Sequence, residues 1–273
     1  MRHEEIRVCI IRVGGTNCDA ETKRSFEDLG VKASIHHINE ISRKKEILFE
    51  YHILVFPGGF SYGDHVRAGA ILAKIIMARI GSEVKAFIDE GRPILGICNG
   101  FQVLIEAGLL PKINGVSVRP EAALATNVPI GYRCTWVYLR HENRGKCAFT
   151  WLIPKGAILR MPVAHAEGRF ILPKEREKDL LNKLIDNDQI VFRYCCENGD
   201  PAEGRFPENP NGSLYDIAGI CDPSGTIFGL MPHPERAYYG WQLPNWTRMG
   251  RPPKYGDGRL IFESIVNYVM KKF

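Results

Sequence analysis

The sequence lacks any C-x-x-C pair, although it contains eight cysteines among its 273 residues. Structural zinc sites commonly use such pairs, so we predict no metal site. No apolar run reaches the ~20 residues that a membrane-spanning helix needs; the segment 68–80 is interrupted by Lys74 and Arg79. The first residues lead directly into a strand-like run and do not resemble a secretory signal. We therefore expect a cytoplasmic protein with reduced thiols and no membrane partner.

Phosphate-binding glycine motifs are also missing. There is no G-x-x-x-x-G-K-[ST] sequence, and the turn at 14–19 lacks the G-x-G-x-x-G spacing of dinucleotide-binding folds. The net charge of +5 is modest, and no block of Lys and Arg suggests a nucleic-acid partner. The hydrophobic fraction of 45% and charged fraction of 25% are those of an ordinary globular protein. We expect no cofactor bound by this chain and no nucleic-acid partner.

Strand-like and helix-like segments alternate along the first hundred residues. Apolar runs predict strands at 7–13, 32–37, 51–56 and 93–97, and helical patterns lie at 19–29, 40–49, 68–80 and 83–90. Further short strands are predicted at 134–139, 158–161, 190–194, 217–221 and 227–231, before a last helix at 259–270. This alternation predicts one three-layer α/β domain over 1–273, with a mainly parallel sheet flanked by helices. Its site should lie at the carboxyl ends of the parallel strands.

The segment 93–102, Pro-Ile-Leu-Gly-Ile-Cys-Asn-Gly-Phe-Gln, is the most informative part of the sequence. An apolar run stops at Gly-x-Cys-x-Gly, and a helix-compatible segment follows, which is the pattern of a nucleophile elbow. The positive end of the helix dipole favours the thiolate form of a cysteine at the turn. Most buried cysteines are inert, but the flanking glycines favour a nucleophile at Cys98.

A nucleophilic cysteine needs a base, and the base needs a group that orients it. His165 and His233 are each followed two positions later by a glutamate, Glu167 and Glu235. Residues i and i+2 of extended backbone point to the same side, so each carboxylate can hold its imidazole. The longer apolar run before His233 and the prolines on both sides of it favour His233. The pattern of residues alone does not decide which of the two histidines is the base.

Glycines directly after the third predicted strand suggest an oxyanion hole. The sequence at 57–61 is Pro-Gly-Gly-Phe-Ser, and bare backbone N–H groups after a buried strand can stabilise a tetrahedral oxyanion. We predict a glycine N–H of this segment as one donor and Asn99 N–H, at the start of the elbow helix, as the other.

Together these segments resemble the class I (triad) glutamine amidotransferases, a family with a flavodoxin-like α/β fold. The resemblance narrows to the glutaminase subunits of phosphoribosylformylglycinamidine synthase. The blocks that carry it lie at 15–19, 57–64, 96–102, 165–170, 209–213 and 231–236. They extend over most of the chain.

The resemblance implies a reaction and a set of residues for it. Cys98 attacks the side-chain amide of L-glutamine and forms a glutamyl thioester, and His233, held by Glu235, is the base. Gly59 and Asn99 form the oxyanion hole.

The resemblance also implies substrate contacts and a link to a second site. Gln102 and Phe60 contact glutamine. His165, Glu167 and Arg169 lie where the glutaminase site is coupled to the partner's site.

The expected partner is a synthetase subunit that uses ammonia, with ATP and Mg, to convert formylglycinamide ribonucleotide to the amidine in purine biosynthesis. A small third subunit is also expected. Two alternatives stay open: a class I amidotransferase that serves another synthetase, and a non-catalytic binding protein of the same fold.

Three segments depart from the family pattern. The segment 127–132 lacks the Ser and Arg common there, which puts contacts made by those side chains in doubt. Ala166 replaces a usual glycine. The aromatic, proline-rich segment 238–257 is either a surface loop packed on itself or an element that docks a partner.

Overall fold

A computed structural model describes residues 1–115 and 120–273. The strands are β1 Arg7–Arg12, β2 Lys32–His37, β3 Ile53–Phe56, β4 Ile94–Ile97, β5 Ala123–Ala125, β6 Arg133–His141, β7 Ile158–His165, β8 Arg169–Ile171, β9 Ile190–Cys195, β10 Ile217–Cys221 and β11 Ile227–Leu230. The helices are α1 Asp19–Glu27, α2 Ile38–Arg43, α3 Ala70–Asp89, α4 Asn99–Glu106, α5 Glu177–Asp186 and α6 Arg259–Lys272.

Nine strands form one mixed sheet in the order β2-β1-β3-β4-β11-β10-β9-β6-β7. The first five strands in this order pair in parallel, and the remaining pairs are antiparallel. β5 and β8 form a separate two-stranded antiparallel sheet. The α/β class with helices around a parallel sheet is confirmed, and the strands of the second half of the chain extend the same sheet.

Helices cover the parallel part of the sheet in two groups. α1 contacts α6, and α3 contacts α4. Right-handed crossovers place α1 and α3 on opposite faces, because the chain moves from β1 to β2 in one direction and then back past β1 to β3 and β4. Strands β3, β4 and β11 are therefore covered on both sides, and every residue in them is buried.

Four local details differ from the expectation. The helical patterns at 68–80 and 83–90 join into the single helix α3, with a local departure at Ile80 (φ −134°). The pattern at 40–49 divides into α2 and a 3₁₀ segment, Lys45–Glu50. The helix α5 and the small sheet of β5 and β8 were not predicted from the sequence.

The elbow requires glycine at position 100 for steric reasons. A Cβ on Gly100 would lie 1.8 Å from the carbonyl oxygen of Phe56 in β3. We expect Gly100→Ala to lower the free energy of unfolding by about 3 kcal/mol, because α4 must move away from the sheet. Urea unfolding measures this change. Gly14→Ala is the matched control, since a Cβ at Gly14 meets nothing within 4 Å; equal losses in the two variants would contradict the steric explanation.

Candidate active site

Cys98 lies at the sharp turn between β4 and α4. Its backbone has φ 49° and ψ −105°, a conformation that L-residues rarely adopt. The turn is held by a hydrogen bond from Cys98 N–H to the Leu230 carbonyl (2.8 Å). The side chain is only 4% exposed, and its sulfur lies 3.6 Å from the carbonyl oxygen of Ala164. The surrounding sheet thus holds the sulfur in one position at the start of a helix.

His233 and Glu235 form a buried pair at the exit of β11. His233 Nδ1 lies 2.6 Å from Glu235 Oε1, and His233 N–H donates to the Pro162 carbonyl (2.8 Å). The carboxylate therefore selects the tautomer that carries its proton on Nδ1 and leaves Nε2 as the basic nitrogen. Within the described part of the chain, Nε2 is buried without a hydrogen-bond partner.

Cys98 and His233 follow neighbouring strands of the sheet. β4 pairs with β11 in parallel, with Ile97 opposite Leu230. Burial alone would lower the pKa of His233, but the charges of Glu235 and of a Cys98 thiolate raise this pKa well above its usual value. The carboxylate of Glu235 therefore makes His233 a stronger proton acceptor.

Cys18 contacts His233 and Arg236 contacts Cys18, and the sequence analysis assigned neither residue a role. The Cys18 sulfur lies 3.9 Å from His233 Nδ1, and Arg236 Nη2 donates to the same sulfur (3.1 Å). Donor atoms of Cys18, His233 and Glu235 lie within 4.8 Å of one another, close enough to suggest a metal cluster. The positive charge of Arg236 beside the sulfur would repel a metal ion. His233 and Glu235 already share a hydrogen bond, so these two atoms are not free to act as ligands.

The two predicted oxyanion donors lie on the loops after β3 and β4. Gly59 has φ 146°, and a Cβ there would meet the Gly15 carbonyl at 2.7 Å, so this position favours glycine. Asn99 is the first residue of α4, where N–H groups have no carbonyl one turn earlier in the helix. Asn99 Oδ1 accepts a hydrogen bond from Ser61 N–H (3.1 Å), which ties the two loops together.

Gln102 joins the elbow helix to the loop that follows β7. Its Nε2 donates to the Glu167 carbonyl (2.6 Å), and its Oε1 accepts from Asn99 Nδ2 (2.9 Å). Glu167 in turn accepts a hydrogen bond from Ala68 N–H (3.1 Å), just before α3. Two of the predicted substrate and coupling residues, Gln102 and Glu167, are therefore in one network. In this structure both the nitrogen and the oxygen of the Gln102 side-chain amide form hydrogen bonds with other protein groups.

Phe60 lies at the surface beside the segment that departs from the family pattern. Its ring is 43% exposed and stacks on Tyr132, with centroids 6.4 Å apart. Asn127 holds that segment by donating to the carbonyls of Gly131 and His165 (2.9 Å each). The segment without the usual Ser and Arg thus lies next to a predicted substrate residue.

The segment 238–257 is anchored at one end and carries an exposed tryptophan. Tyr238 is buried, and its hydroxyl donates to Asp28 (2.9 Å). Trp241 stacks on Tyr239 at 5.3 Å but remains 54% exposed. The segment packs on itself and on α1, and docking of a partner here stays a prediction.

His165 is buried at the end of β7, and its ring packs on Gly168, where a Cβ would approach to 2.4 Å. In the described part of the chain neither ring nitrogen has a hydrogen-bond partner. Burial, and then the positive charge of His233, lower the pKa of His165 to about 3. His165 is therefore neutral near pH 7. Arg169 Nε is likewise buried and unpartnered among the described residues.

This low pKa predicts a pH dependence of stability. Between about pH 6.5 and 3 the unfolded chain binds a proton at residue 165 that the folded chain does not bind. The free energy of unfolding should therefore decrease as the pH falls through this window, by about 1.4 kcal/mol per pH unit from this residue. The free energy of unfolding, measured with urea at pH 7, 6 and 5, should change less steeply with pH in His165→Asn than in the wild type. The exposed-site control His3→Asn should keep the original slope; parallel curves for all three proteins would contradict the prediction.

Known proteins resemble this chain over nearly its full length. A family model of the CobB/CobQ-like glutamine amidotransferase domain matches residues 5–269. The phosphoribosylformylglycinamidine synthase subunit PurQ of Archaeoglobus fulgidus is 46% identical over 280 residues, covering 99% of this chain and 100% of that one. The same subunit of Methanothrix thermoacetophila is 42% identical over 277 residues, covering 98% of this chain and 99% of that one. Among solved structures, PurLQS from Thermotoga maritima has a TM-score of 0.72 and 33% identity, covering 97% of this chain and 99% of that one.

Proposed function

The chain belongs to the CobB/CobQ-like glutamine amidotransferase family and to the PurQ subunits within it, and we propose that Cys98 carries its glutaminase reaction. The chain acts as a glutaminase subunit of phosphoribosylformylglycinamidine synthase, in purine biosynthesis. One observation supports this assignment of residues above all others. A cysteine at a strained elbow and a glutamate-held histidine leave adjacent parallel strands, β4 and β11.

The proposed reaction proceeds in two halves. Cys98 sulfur attacks the carboxamide carbon of glutamine, and the thiol proton passes to His233 Nε2. The imidazolium, stabilised by Glu235, then gives this proton to the leaving nitrogen, so that the C–N bond breaks and neutral ammonia departs. In the second half His233 takes a proton from water, the hydroxide attacks the thioester carbon, and the C–S bond breaks. Glutamate leaves, and the imidazolium of His233 returns its proton to the Cys98 sulfur, which restores the thiol.

Backbone donors stabilise both tetrahedral intermediates in this proposal. The N–H groups of Gly59 and Asn99 face the oxyanion that forms at the glutamine carbonyl. The Asn99–Ser61 hydrogen bond fixes the two donor loops relative to each other before substrate arrives. Phe60 forms one wall of the glutamine entrance, and Gln102 holds the amino-acid end of glutamine after exchanging one of its protein hydrogen bonds.

A synthetase subunit consumes the ammonia, as the assembly of the similar Thermotoga protein PurLQS suggests. We propose that ATP and Mg bind in that partner, and that a small third subunit joins the complex. Exposed apolar side chains next to Phe60 support docking at this face: Val128, Ile130 and Tyr132 are 49%, 85% and 50% exposed. Coupling between the two sites would pass through the loop that holds His165, Glu167 and Arg169.

We further propose that residues 1–273 form one amidotransferase domain that works in the cytoplasm. All eight cysteines are unpaired, which fits a reducing compartment. None of the helices in the described ranges is both long and apolar enough to cross a bilayer.

The function is tested by reconstitution. The chain is mixed with candidate synthetases, each with its own acceptor, ATP and Mg, and glutamine-dependent product is measured. We expect product with a formylglycinamide ribonucleotide synthetase; product only with another synthetase would favour the first alternative. Labelling of Cys98 by a glutamine-mimicking electrophile, read by mass spectrometry, excludes a non-catalytic protein of the same fold. An unlabelled Cys98 in an assembled complex would contradict the proposal.

A further inference from the structure

A second sulfur lies beside the base and takes no part in the reaction described above. Cys18 precedes α1, is 1% exposed, and lies 3.9 Å from His233 Nδ1 on the side that faces Glu235. The sulfur and the imidazole meet over Gly58, where a Cβ would lie 3.0 Å from the sulfur and 2.7 Å from His233 Cε1. The sulfur is thus fixed against the ring by a position that has no room for a side chain.

Arg236 reaches this sulfur from the other side. Arg236 Nη2 donates to Cys18 Sγ at 3.1 Å, while Arg236 Nε donates to Glu21 Oε1 at 2.7 Å. The guanidinium is therefore held at two points, one of them the sulfur. Because a thiol is a weak acceptor, this contact is weaker than a bond to a carboxylate.

The same group of side chains contains a buried carboxylate oxygen without a partner. Glu235 is 1% exposed, and its Oε2 is buried without a hydrogen-bond partner in the described part of the chain. A carboxylate oxygen of Glu235 lies within 4.8 Å of the Cys18 sulfur. An unpaired buried carboxylate oxygen strongly attracts a guanidinium, since such pairs form charge-assisted hydrogen bonds. The contact with Cys18 and the bond to Glu21 hold the guanidinium in a different direction.

We propose that Cys18 is a positioning residue for the base. By accepting the hydrogen bond of Arg236, its sulfur keeps the guanidinium away from Glu235, so that the negative charge of Glu235 acts on His233 alone. The inference rests on the proposed function, because it assigns Cys18 a role toward that base. It adds a residue that touches neither glutamine nor the thioester.

The protonation state of Cys18 fits this role. Burial, above all other causes, raises the pKa of its thiol to about 12. The thiol is therefore neutral and its S–H donates to Asn17 Oδ1 (3.1 Å), so it neither competes with Cys98 as a nucleophile nor forms an ion pair with Arg236. The charged or titratable groups that face it are His233, Glu235 and Arg236.

Substitutions at position 18 test the inference in the reconstituted complex. Cys18→Ala removes the acceptor, and we expect kcat/KM for glutamine to fall roughly 10- to 100-fold. The bell-shaped pH profile should also move to lower pH: a carboxylate shared with Arg236 stabilises imidazolium less, which lowers the pKa of His233. Cys18→Ser keeps an acceptor of similar size and should retain a rate within about threefold and the original profile. Cys9→Ala is the matched control, because Cys9 is a fully buried cysteine in β1.

A double substitution identifies Arg236 as the cause. In the Cys18→Ala background, Arg236→Gln removes the competing charge and should return the pH profile to its original position. A rate loss in Cys18→Ala without a pH shift, or a shift that remains after Arg236→Gln, would overturn the inference. A wild-type complex that consumes no glutamine would instead reject the proposed function itself. An active wild type with an unchanged Cys18→Ala rejects the role of Cys18 alone.

Discussion

Replacing Cys98 by alanine should abolish glutamine-dependent amidine synthesis while leaving ammonia-dependent synthesis at the wild-type rate. The sulfur forms the only covalent bond to substrate in the proposed reaction, so its loss should lower the glutaminase rate by roughly 10⁴-fold or more. Supplied ammonia bypasses this chain and reaches the synthetase directly. Both rates are measured on the same reconstituted complex, with glutamine or an ammonium salt as the nitrogen source.

The control for this substitution is Cys134→Ala, which removes an exposed thiol. It should leave both rates unchanged. Loss of both activities in Cys98→Ala would mean that the residue maintains the complex instead of performing chemistry. Native mass measurement of each variant complex separates these cases, because a catalytic residue leaves the assembly intact.

His233→Ala should lower glutamine-dependent synthesis about 10³-fold or more, and His165→Ala far less. His233 Nε2 is the nitrogen that moves protons in the proposal, and its partner Glu235 is fixed at 2.6 Å from Nδ1. His165 has a pKa of about 3 and stays neutral during turnover, so it cannot store the thiol proton. Steady-state rates of glutamate release by the two variants, with ammonia-dependent synthesis as a reference, give the ranking.

The reverse ranking would transfer the role of base to His165. In that case Glu167 would have to orient His165, yet in the structure the carboxylate of Glu167 accepts a hydrogen bond from Ala68 N–H. His165→Gln offers a second readout. It keeps a hydrogen-bonding side chain and should preserve the glutaminase rate if the residue has no part in proton transfer.

Apolar runs allowed the sequence to predict most of the sheet. Strands at 32–37 and 217–221 have the predicted bounds, and the elbow strand ends before Cys98 as expected. The elbow strand and the strand at 217–221 are fully buried, so they appear as continuous hydrophobic segments. α5 was missed because charged residues dominate it; Leu180 and Leu184, its buried positions, are the signal that could have identified it. Strands of three residues, as in β5 and β8, leave too short a pattern to detect.

The chemistry of the site could be predicted in part. Cys98, His233 and the glycines are marked by local motifs, and the match to the amidotransferase family confirms the resemblance that those motifs carry. Cys18 and Arg236 meet only because the loop after β1 and the exit of β11 converge at one edge of the sheet. Strand order, which no local motif encodes, decides that meeting.

The central position of β11 has a consequence for how the enzyme becomes active. This strand comes late in the sequence but lies between β4 and β10 in the sheet. A nascent polypeptide that has emerged from the ribosome only as far as β10 carries the elbow cysteine without its histidine and with a gap beside β4. In the proposed reaction, thiol chemistry can therefore begin only after β11 and the His233–Glu235 pair that follows it have been synthesised.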